Sequence, residues 1–390
     1  MTFDDRTTTH QYDTCHEGSK PACIPSMTQA KRSVLFLIPT LNGGGAERVI
    51  VTLLKSIDRS RFRLTLGVVD MRKAAFRNDL PADVECIELG ATRVRYALSR
   101  IVALIWKRRP DVVFSTLGHL NLVLSIIRPL LPGGVRYIAR ETGVVSKTLQ
   151  TYSYSGVWKI LYRWFYRRFD MLVCQSHFMQ ADLVERFGFP AKRSVIINNP
   201  VDVEQISKMA TAPLDYSGFP AGGIRLVAAG RLSTEKGFDL LIEAMAVLGN
   251  PTLYLYILGE GSLLNELRQL AIARGVADNI EFVGFQSNPY AWLAQADAFV
   301  LSSRHEGFPN VVLEALACGT PVIATPALGG VREILDGVTG CVVAGEISAA
   351  ALASAVSEWL DGPRSRIPAS AVAPYRLKQI VRQYEAILTT

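Results

Sequence analysis

The chain is 390 residues long, 49% apolar and 20% charged, with a net charge of +7, a composition that fits two ordinary globular domains of roughly 150–200 residues. No uninterrupted apolar run reaches the roughly 18 residues of a membrane-crossing helix, and the start, with Asp4 and Asp5, lacks the apolar stretch of a secretory signal peptide, so a cytoplasmic protein is expected. The six cysteines, at 15, 23, 86, 174, 318 and 341, form no Cys-x-x-Cys pair and stand at no ligand spacing from a histidine, so reduced thiols and no metal site are expected.

Residues 1–30 are polar and aperiodic and read as a disordered leader. Order is expected to begin at Ser33 with Val34–Ile38, a continuous apolar run of the kind that forms a strand buried on both faces of a parallel sheet. A helix is predicted from Ala46 to about Ile57. Further strands are predicted at Leu64–Val69, Val84–Leu89, Val112–Ser115, Tyr137–Ala139, Met171–Cys174 and Val195–Ile197, with helices at Arg95–Lys107, Val157–Arg168 and Met179–Phe187. That alternation predicts a doubly wound α/β lobe over residues 31–203.

A linker is expected over residues 204–223, after which the pattern restarts. Strands are predicted at Ile224–Ala229, Leu253–Leu258, Ile280–Val283, Ala298–Leu301, Pro321–Ala324 and Gly340–Val343, giving a second α/β lobe over residues 224–370. Pro368–Pro374 reads as a loop, and Tyr375–Leu388 as an amphipathic helix within a C-terminal segment, 371–390, that is free to return to the first lobe. Two such lobes leave a cleft, and ligands of these sheets bind beyond the carboxyl ends of the strands.

Three loops at predicted strand ends carry residues suited to anions. Gly43, Gly44 and Gly45 open the first helix, where close backbone approach and the helix N-terminus suit a phosphate; a tight turn without ligand is the alternative. Arg231 and Lys236 flank the turn Gly230–Gly237 and could both reach one diphosphate, against the plainer reading of surface charges on a loop. Glu306 and Glu314, with seven residues between them, bracket Gly307, Phe308, Pro309, Asn310 and Val311, where a tight turn enters a helix; the two carboxylates suit sugar and ribose hydroxyls.

Together these segments resemble the retaining glycosyltransferases of family four, which have the GT-B architecture of two Rossmann-like lobes facing a cleft. The resemblance spans roughly residues 33–385, and the Glu-x7-Glu element is its most specific part. It implies donor binding by Gly44 and Gly45, charge neutralisation by Arg231 and Lys236, and sugar binding by Glu306 and the Gly307–Val311 backbone. It further implies ribose binding by Glu314 and approach to the nucleotide by Gly259, Glu260, Gly284 and Phe285. His119 matches a first-lobe histidine directed at the donor sugar, although an isolated histidine at a strand end also reads as structural. Arg140 and Glu141 are expected to line the acceptor side.

The donor expected from the resemblance is a nucleotide diphosphate sugar, of the uridine series, and the acceptor a glycan or lipid-linked molecule in surface-polysaccharide assembly. No cofactor and no metal are expected, the cations supplying the charge. Residues 1–200 hold 29 Lys and Arg against 16 Asp and Glu, and Arg95–Arg109 and Trp158–Arg168 mix aromatic with cationic residues. Both features suit an anionic membrane surface, or else core-facing helices with exposed cations. No nucleic-acid motif is present, so nucleic acid is not an expected partner. A nucleotide-sugar hydrolase or epimerase on the same frame, or a non-catalytic polyanion-binding protein, are the competing readings.

Overall fold

The computed structural model describes residues 30–214 and 222–389. The expected leader, apart from Ala30, and residues 215–221 of the expected linker lie outside them. Both lobes belong to one body from Lys31 onward.

The first lobe holds seven parallel strands: β1 (Arg32–Thr40), β2 (Phe62–Asp70), β3 (Glu85–Glu88), β4 (Val112–Thr116), β5 (Arg136–Arg140), β6 (Met171–Cys174) and β7 (Ser194–Ile196), in the order β3-β2-β1-β4-β5-β6-β7. Its helices are α1 (Gly45–Ser56), α2 (Leu98–Arg108), α3 (Gly118–Ile127), α4 (Val145–Gln150), α5 (Ser155–Phe165) and α6 (His177–Ala181). Successive residues of β1 enter opposite cores: Leu35 and Leu37 join one cluster, and Val34, Phe36 and Ile38 the other. That is the reason for the unbroken apolar run, since a strand covered by helices on both faces has no polar side to show.

The second lobe holds six parallel strands: β8 (Ile224–Ala229), β9 (Leu253–Leu258), β10 (Ile280–Gly284), β11 (Ala298–Leu301), β12 (Val322–Ala324) and β13 (Val342–Val343), in the order β10-β9-β8-β11-β12-β13. Between and after them run α7 (Val203–Ala210), α8 (Phe238–Leu248), α9 (Leu264–Ala273), α10 (Pro289–Gln295), α11 (Asn310–Ala317), α12 (Val331–Leu335), α13 (Ala349–Asp361) and α14 (Leu377–Thr389). Both sheets reverse their order beside the first strand of the lobe, which opens a crevice at the carboxyl ends of β1 and β4, and of β8 and β11.

Several segments differ from the reading of the sequence. Residues 204–210, read as linker, form α7 together with Val203, and Ile206 enters the core shared with Trp292, Val312 and Leu316 of the second lobe; the helix is started by Asp202, whose carboxylate accepts from Gln205 N at 3.0 Å. The helix read over Met179–Phe187 is α6 followed by a π turn, Asp182–Arg186; the wider turn accompanies the buried Asp182 carboxylate, which accepts from Ser146 N at 2.9 Å. Residues 369–375, read as loop, form a 3-10 helix.

The closing helix α14 leaves the second lobe and packs on the first sheet. Ile380, Val381, Tyr384, Ile387 and Leu388 join the cluster of Phe36 and Phe114, and Glu385 meets Arg61 at 3.1 Å. The chain thus passes between lobes twice, and the passages pair: Val201 N donates to Tyr375 O at 2.8 Å and Leu377 N to Val201 O at 3.0 Å.

Candidate functional site

In the second lobe the predicted donor residues gather at the carboxyl ends of neighbouring strands. Gly230 N donates to Leu258 O at 2.9 Å, Leu232 N to Glu260 O at 2.9 Å, and Gly259 N to Gly284 O at 2.8 Å, so the loops after β8, β9 and β10 lie side by side. Phe285, beyond β10, stands 68% exposed, unusual for so large an apolar ring and suited to stacking on a base. Glu260 and Arg231 are exposed on their loops.

Lys236 and Glu306 meet directly. Lys236 Nζ lies 2.6 Å from Glu306 Oε1, and Ser303 Oγ donates to the same oxygen at 2.6 Å. The loop is braced around them: Ser302 Oγ donates to Lys236 O at 2.8 Å, and Arg304 grips Asp239 through both terminal nitrogens at 2.7 and 2.6 Å. A two-point guanidinium–carboxylate contact fixes orientation as well as distance, so the pair sits on a rigid support.

The turn Gly307–Pro309 and the start of α11 press against the first lobe. A Cβ on Gly307 would stand 2.3 Å from Thr142 O, so only glycine fits there. Asn310 Nδ2 donates to Gly45 O at 3.2 Å, and a Cβ on Gly45 would crowd the same amide at 3.0 Å. Asn199 Nδ2 donates to Phe308 O at 3.2 Å and to Asn310 Oδ1 at 2.5 Å. Phe308 itself is buried against Tyr375, while Val311 is half-buried and packs on the second-lobe core.

Glu314, one turn into α11, is 9% exposed and pairs with Arg48 of α1 at 3.0 Å. Burial raises its pKa, and the charge and hydrogen bond of Arg48 oppose that rise. Tyr290 of α10 lies near the same guanidinium, and burial pushes its phenol up to about 12. A further contact joins the lobes at the other edge: the Glu333 carboxylate accepts from His177 N at 3.0 Å and Phe178 N at 3.1 Å, at the start of α6.

On the first-lobe side, Glu47 folds its carboxylate back to Thr40 Oγ1 at 3.0 Å and fills the space that a side chain on Gly44 would take, 2.3 Å from an added Cβ. His119 follows a strained corner, Leu117 at φ 75°, between β4 and α3. It lines a cavity of about 520 Å3 with an apolar wall of Val69, Leu122, Val123, Ile126, Trp158 and Leu161, and with Thr40, Asp70, Arg93 and Arg95 also on its lining. Loss of water around the ring lowers the His119 pKa, which favours the neutral form with one donor and one acceptor nitrogen.

Arg140 and Glu141 do not line the acceptor side as expected. Arg140 is fully buried, its Nε donating to Tyr384 of α14 at 3.1 Å and its Nη2 to Asn199 at 2.6 Å. Glu141 is 3% exposed and accepts from Tyr166 at 2.5 Å and Asn121 at 2.9 Å. A strand end marks the rim of a sheet but does not say which side chains face out of it; here α14 and the helices after β5 cover both. Burial pushes the Glu141 carboxyl up to about 7, against those hydrogen bonds and the nearby Arg140.

Residues 43–205 match glycosyltransferase family 4, and residues 216–371 match the family described as glycosyl transferases group 1. A glycogen synthase of Mycobacterium tuberculosis is 34% identical over 328 residues, 81% of this chain and 75% of that protein. The chain belongs to the family-four glycosyltransferases. An N-acetylgalactosaminyltransferase of Campylobacter jejuni, named for a diphospho-undecaprenol substrate, is 28% identical over 77% of this family-four chain and 82% of its own length. An uncharacterised glycosyltransferase of Methanocaldococcus jannaschii is 28% identical, and the chain spans 60% of its length. Anabaena HepE, crystallised with UDP, has the same GT-B fold: TM-score 0.74 and 21% identity, over 92% of this chain and 99% of that one.

For this family-four member, reading the motifs missed four residues that the folded chain brings to the site or to its edges. Arg48 was in view as part of the glycine-rich segment but had no role. Asn199 sat in a segment read as the end of a lobe, and Tyr290 and Glu333 lay in helices with no motif. Each acts across the lobes, and spacing along one chain carries no signal for such contacts.

Proposed function

We propose that this chain transfers a sugar from a uridine diphosphate sugar to a lipid-linked or glycan acceptor, with retention of configuration and without a metal cofactor. The observation that carries the reading is the joined pair Lys236–Glu306 at the carboxyl ends of adjacent strands, with Glu314 on the helix that follows. Lys236 and Arg231 hold the diphosphate, Glu306 and the Gly307–Val311 backbone the sugar, Glu314 the ribose, and Phe285 the base. The bond from the anomeric carbon to the phosphate oxygen breaks while the acceptor oxygen bonds to the same face of that carbon. The acceptor proton passes to the departing phosphate oxygen. Charge on that oxygen is met by the two cations, fixed where the charge develops. His119 donates a hydrogen bond to the sugar from the opposite wall.

An amphiphilic acceptor is supported by the cavity beside His119, apolar in its wall and cationic at Arg93 and Arg95. It is also supported by α5, whose Val157, Ile160 and Trp164 form an exposed apolar stripe at helical spacing among Lys159 and Arg163. The Campylobacter relative is named for a substrate of that chemistry. On this reading the protein works at the cytoplasmic face of an anionic membrane, although among the described residues no helix is long and apolar enough to cross one.

The test is incubation with a panel of uridine, guanosine and adenosine diphosphate sugars and a short-chain polyprenyl diphosphate glycan, with and without chelator. Product with an α-linkage from an α-configured donor, formed equally in chelator, is expected. Release of free sugar at the same rate without acceptor would support the hydrolase instead.

A further inference from the structure

Arg48 lies in the first turn of α1, its amide closing on Gly44 O at 3.0 Å, yet its guanidinium serves the other lobe. Nη1 reaches Glu314 Oε1 at 3.0 Å, and Tyr290 lies close enough to the same group for the two to influence each other's charge. The ion pair joins the first turn of α1 to a residue one turn into α11, and the starts of the two helices also touch through Asn310 and Gly45. The partners differ in freedom: the Arg48 side chain is 40% exposed, the Glu314 side chain 11%. The carboxylate is fixed, and the guanidinium can leave.

The charges of the site leave a gap that this residue fills. Among Arg48, Arg231, Lys236, Glu306 and Glu314, Lys236 is matched by Glu306 and Arg48 by Glu314, so with both pairs formed a diphosphate meets only the unmatched charge of Arg231. The proposed function brings ribose hydroxyls to Glu314, and the glycines that open α1, the helix from which Arg48 projects, suit the approach of a phosphate. Hydroxyls that take the carboxylate strand a cation in a partly buried cleft, which is costly unless a new anion is at hand. A phosphate is the natural recipient, because the guanidinium fork matches its oxygens in pairs.

We propose that Arg48 is a diphosphate-binding residue stored on Glu314: the donor's ribose displaces it from the carboxylate, and its guanidinium transfers to the diphosphate. The inter-lobe ion pair is thereby exchanged for two contacts to one ligand, so that a single donor molecule takes over the bridge between the lobes that Arg48 and Glu314 otherwise make. The inference rests on the donor reading above.

Calorimetric binding of UDP and of uridine to the full chain separates the possibilities. In wild type the diphosphate makes UDP the tighter ligand by a measurable factor. Arg48→Gln should reduce the ratio of the two dissociation constants by about tenfold, the worth of a charge-assisted contact. The ratio cancels whatever the substitution does to Glu314 and the ribose. Arg48→Lys, which keeps a charge but not the fork, should fall in between. A ratio in Arg48→Gln equal to that of wild type overturns the proposal, as does an unchanged ratio in Arg48→Lys if the Gln variant fails to fold. If wild-type protein binds UDP no better than uridine, and no other nucleoside diphosphate better than its nucleoside, the donor reading itself falls. Failure of the exchange alone leaves wild-type discrimination intact.

Discussion

Lys236 Nζ and Glu306 Oε1 stand 2.6 Å apart, so two residues separated by three helices and three strands of the second lobe act as one unit. Removing either partner therefore changes the other, but in different ways. Lys236→Ala should weaken donor binding roughly tenfold to a hundredfold, because both the diphosphate and Glu306 lose a partly buried cation. Glu306→Gln keeps a hydrogen-bonding oxygen for Lys236 and should leave donor affinity within about threefold of wild type, while turnover falls by roughly a hundredfold or more. Calorimetry and single-turnover rates on the two variants check this; equal losses of binding in both would contradict the division of roles.

Glu141 makes stability depend on pH. Its folded-state pKa, about 7, lies above the ordinary carboxyl value of 4.5. Its contribution is complete below the lower value and is lost as pH rises through the higher one, since the buried carboxyl then ionises in the folded state only at a cost. Glu141→Gln, which stays neutral and keeps an acceptor for Tyr166 and Asn121, should gain on wild type with rising pH. The gap is expected to open between about pH 5 and about pH 8, on the order of 3 kcal/mol at the upper end. Thermal unfolding across that range measures it, and a gap that does not vary with pH would show that the carboxyl ionises as it does in the unfolded chain.

Asn199 tests how the buried Arg140 serves the site. Its Oδ1 accepts from Arg140, and its Nδ2 donates to Phe308 O and Asn310 Oδ1. Asn199→Asp preserves the first contact and abolishes both of these donations, together with a third to Gln175 Oε1 at 3.3 Å. Donor KM should rise about five- to tenfold, the loss of one or two modest hydrogen bonds, while Tm moves little because the new carboxylate gains an ion pair with Arg140. A large fall in Tm with unchanged KM would make Asn199 a purely structural residue.

Glu333 closes the far edge by capping α6 from the opposite lobe. Glu333→Ala leaves two helix-start amides without their acceptor, at a cost of about 0.5–2 kcal/mol in the closed arrangement. The radius of gyration without ligand should increase in this variant and return to the wild-type value on adding UDP. Identical scattering from both proteins would show that the contact does not hold the lobes.

The exposed stripe on α5 makes a separate prediction. Ile160→Ser with Trp164→Ser removes apolar groups 60% and 73% exposed and should lower flotation with anionic vesicles severalfold without lowering Tm. Wild type and variant floating alike would favour a helix whose cations and aromatics simply face water.

Much of this was legible from the sequence because buried parallel strands advertise themselves. Residues 226–229, Leu253–Leu258 and Ala298–Leu301 are continuous apolar runs followed by glycine or serine, and their strands end where the runs do. The loops that follow them carry the motifs, so the second-lobe site could be traced. Arg140 and Glu141 misled because polarity at a strand end was taken for exposure, whereas both are buried and hydrogen-bonded by residues up to 244 positions away. α3 was missed because Leu120–Ile127 is apolar on nearly every side and shows no periodic contrast.

The paired passages at Val201 and Tyr375–Leu377 carry one more consequence. A single strand of chain between two bodies behaves like a ball joint, while two strands hydrogen-bonded side by side behave like the pin of a door. Relative motion of the lobes is then confined to rotation about one axis, and the far ends of the sheets must swing through the same arc each time. Reacting groups carried on opposite leaves of such a door return to the same alignment at every closure.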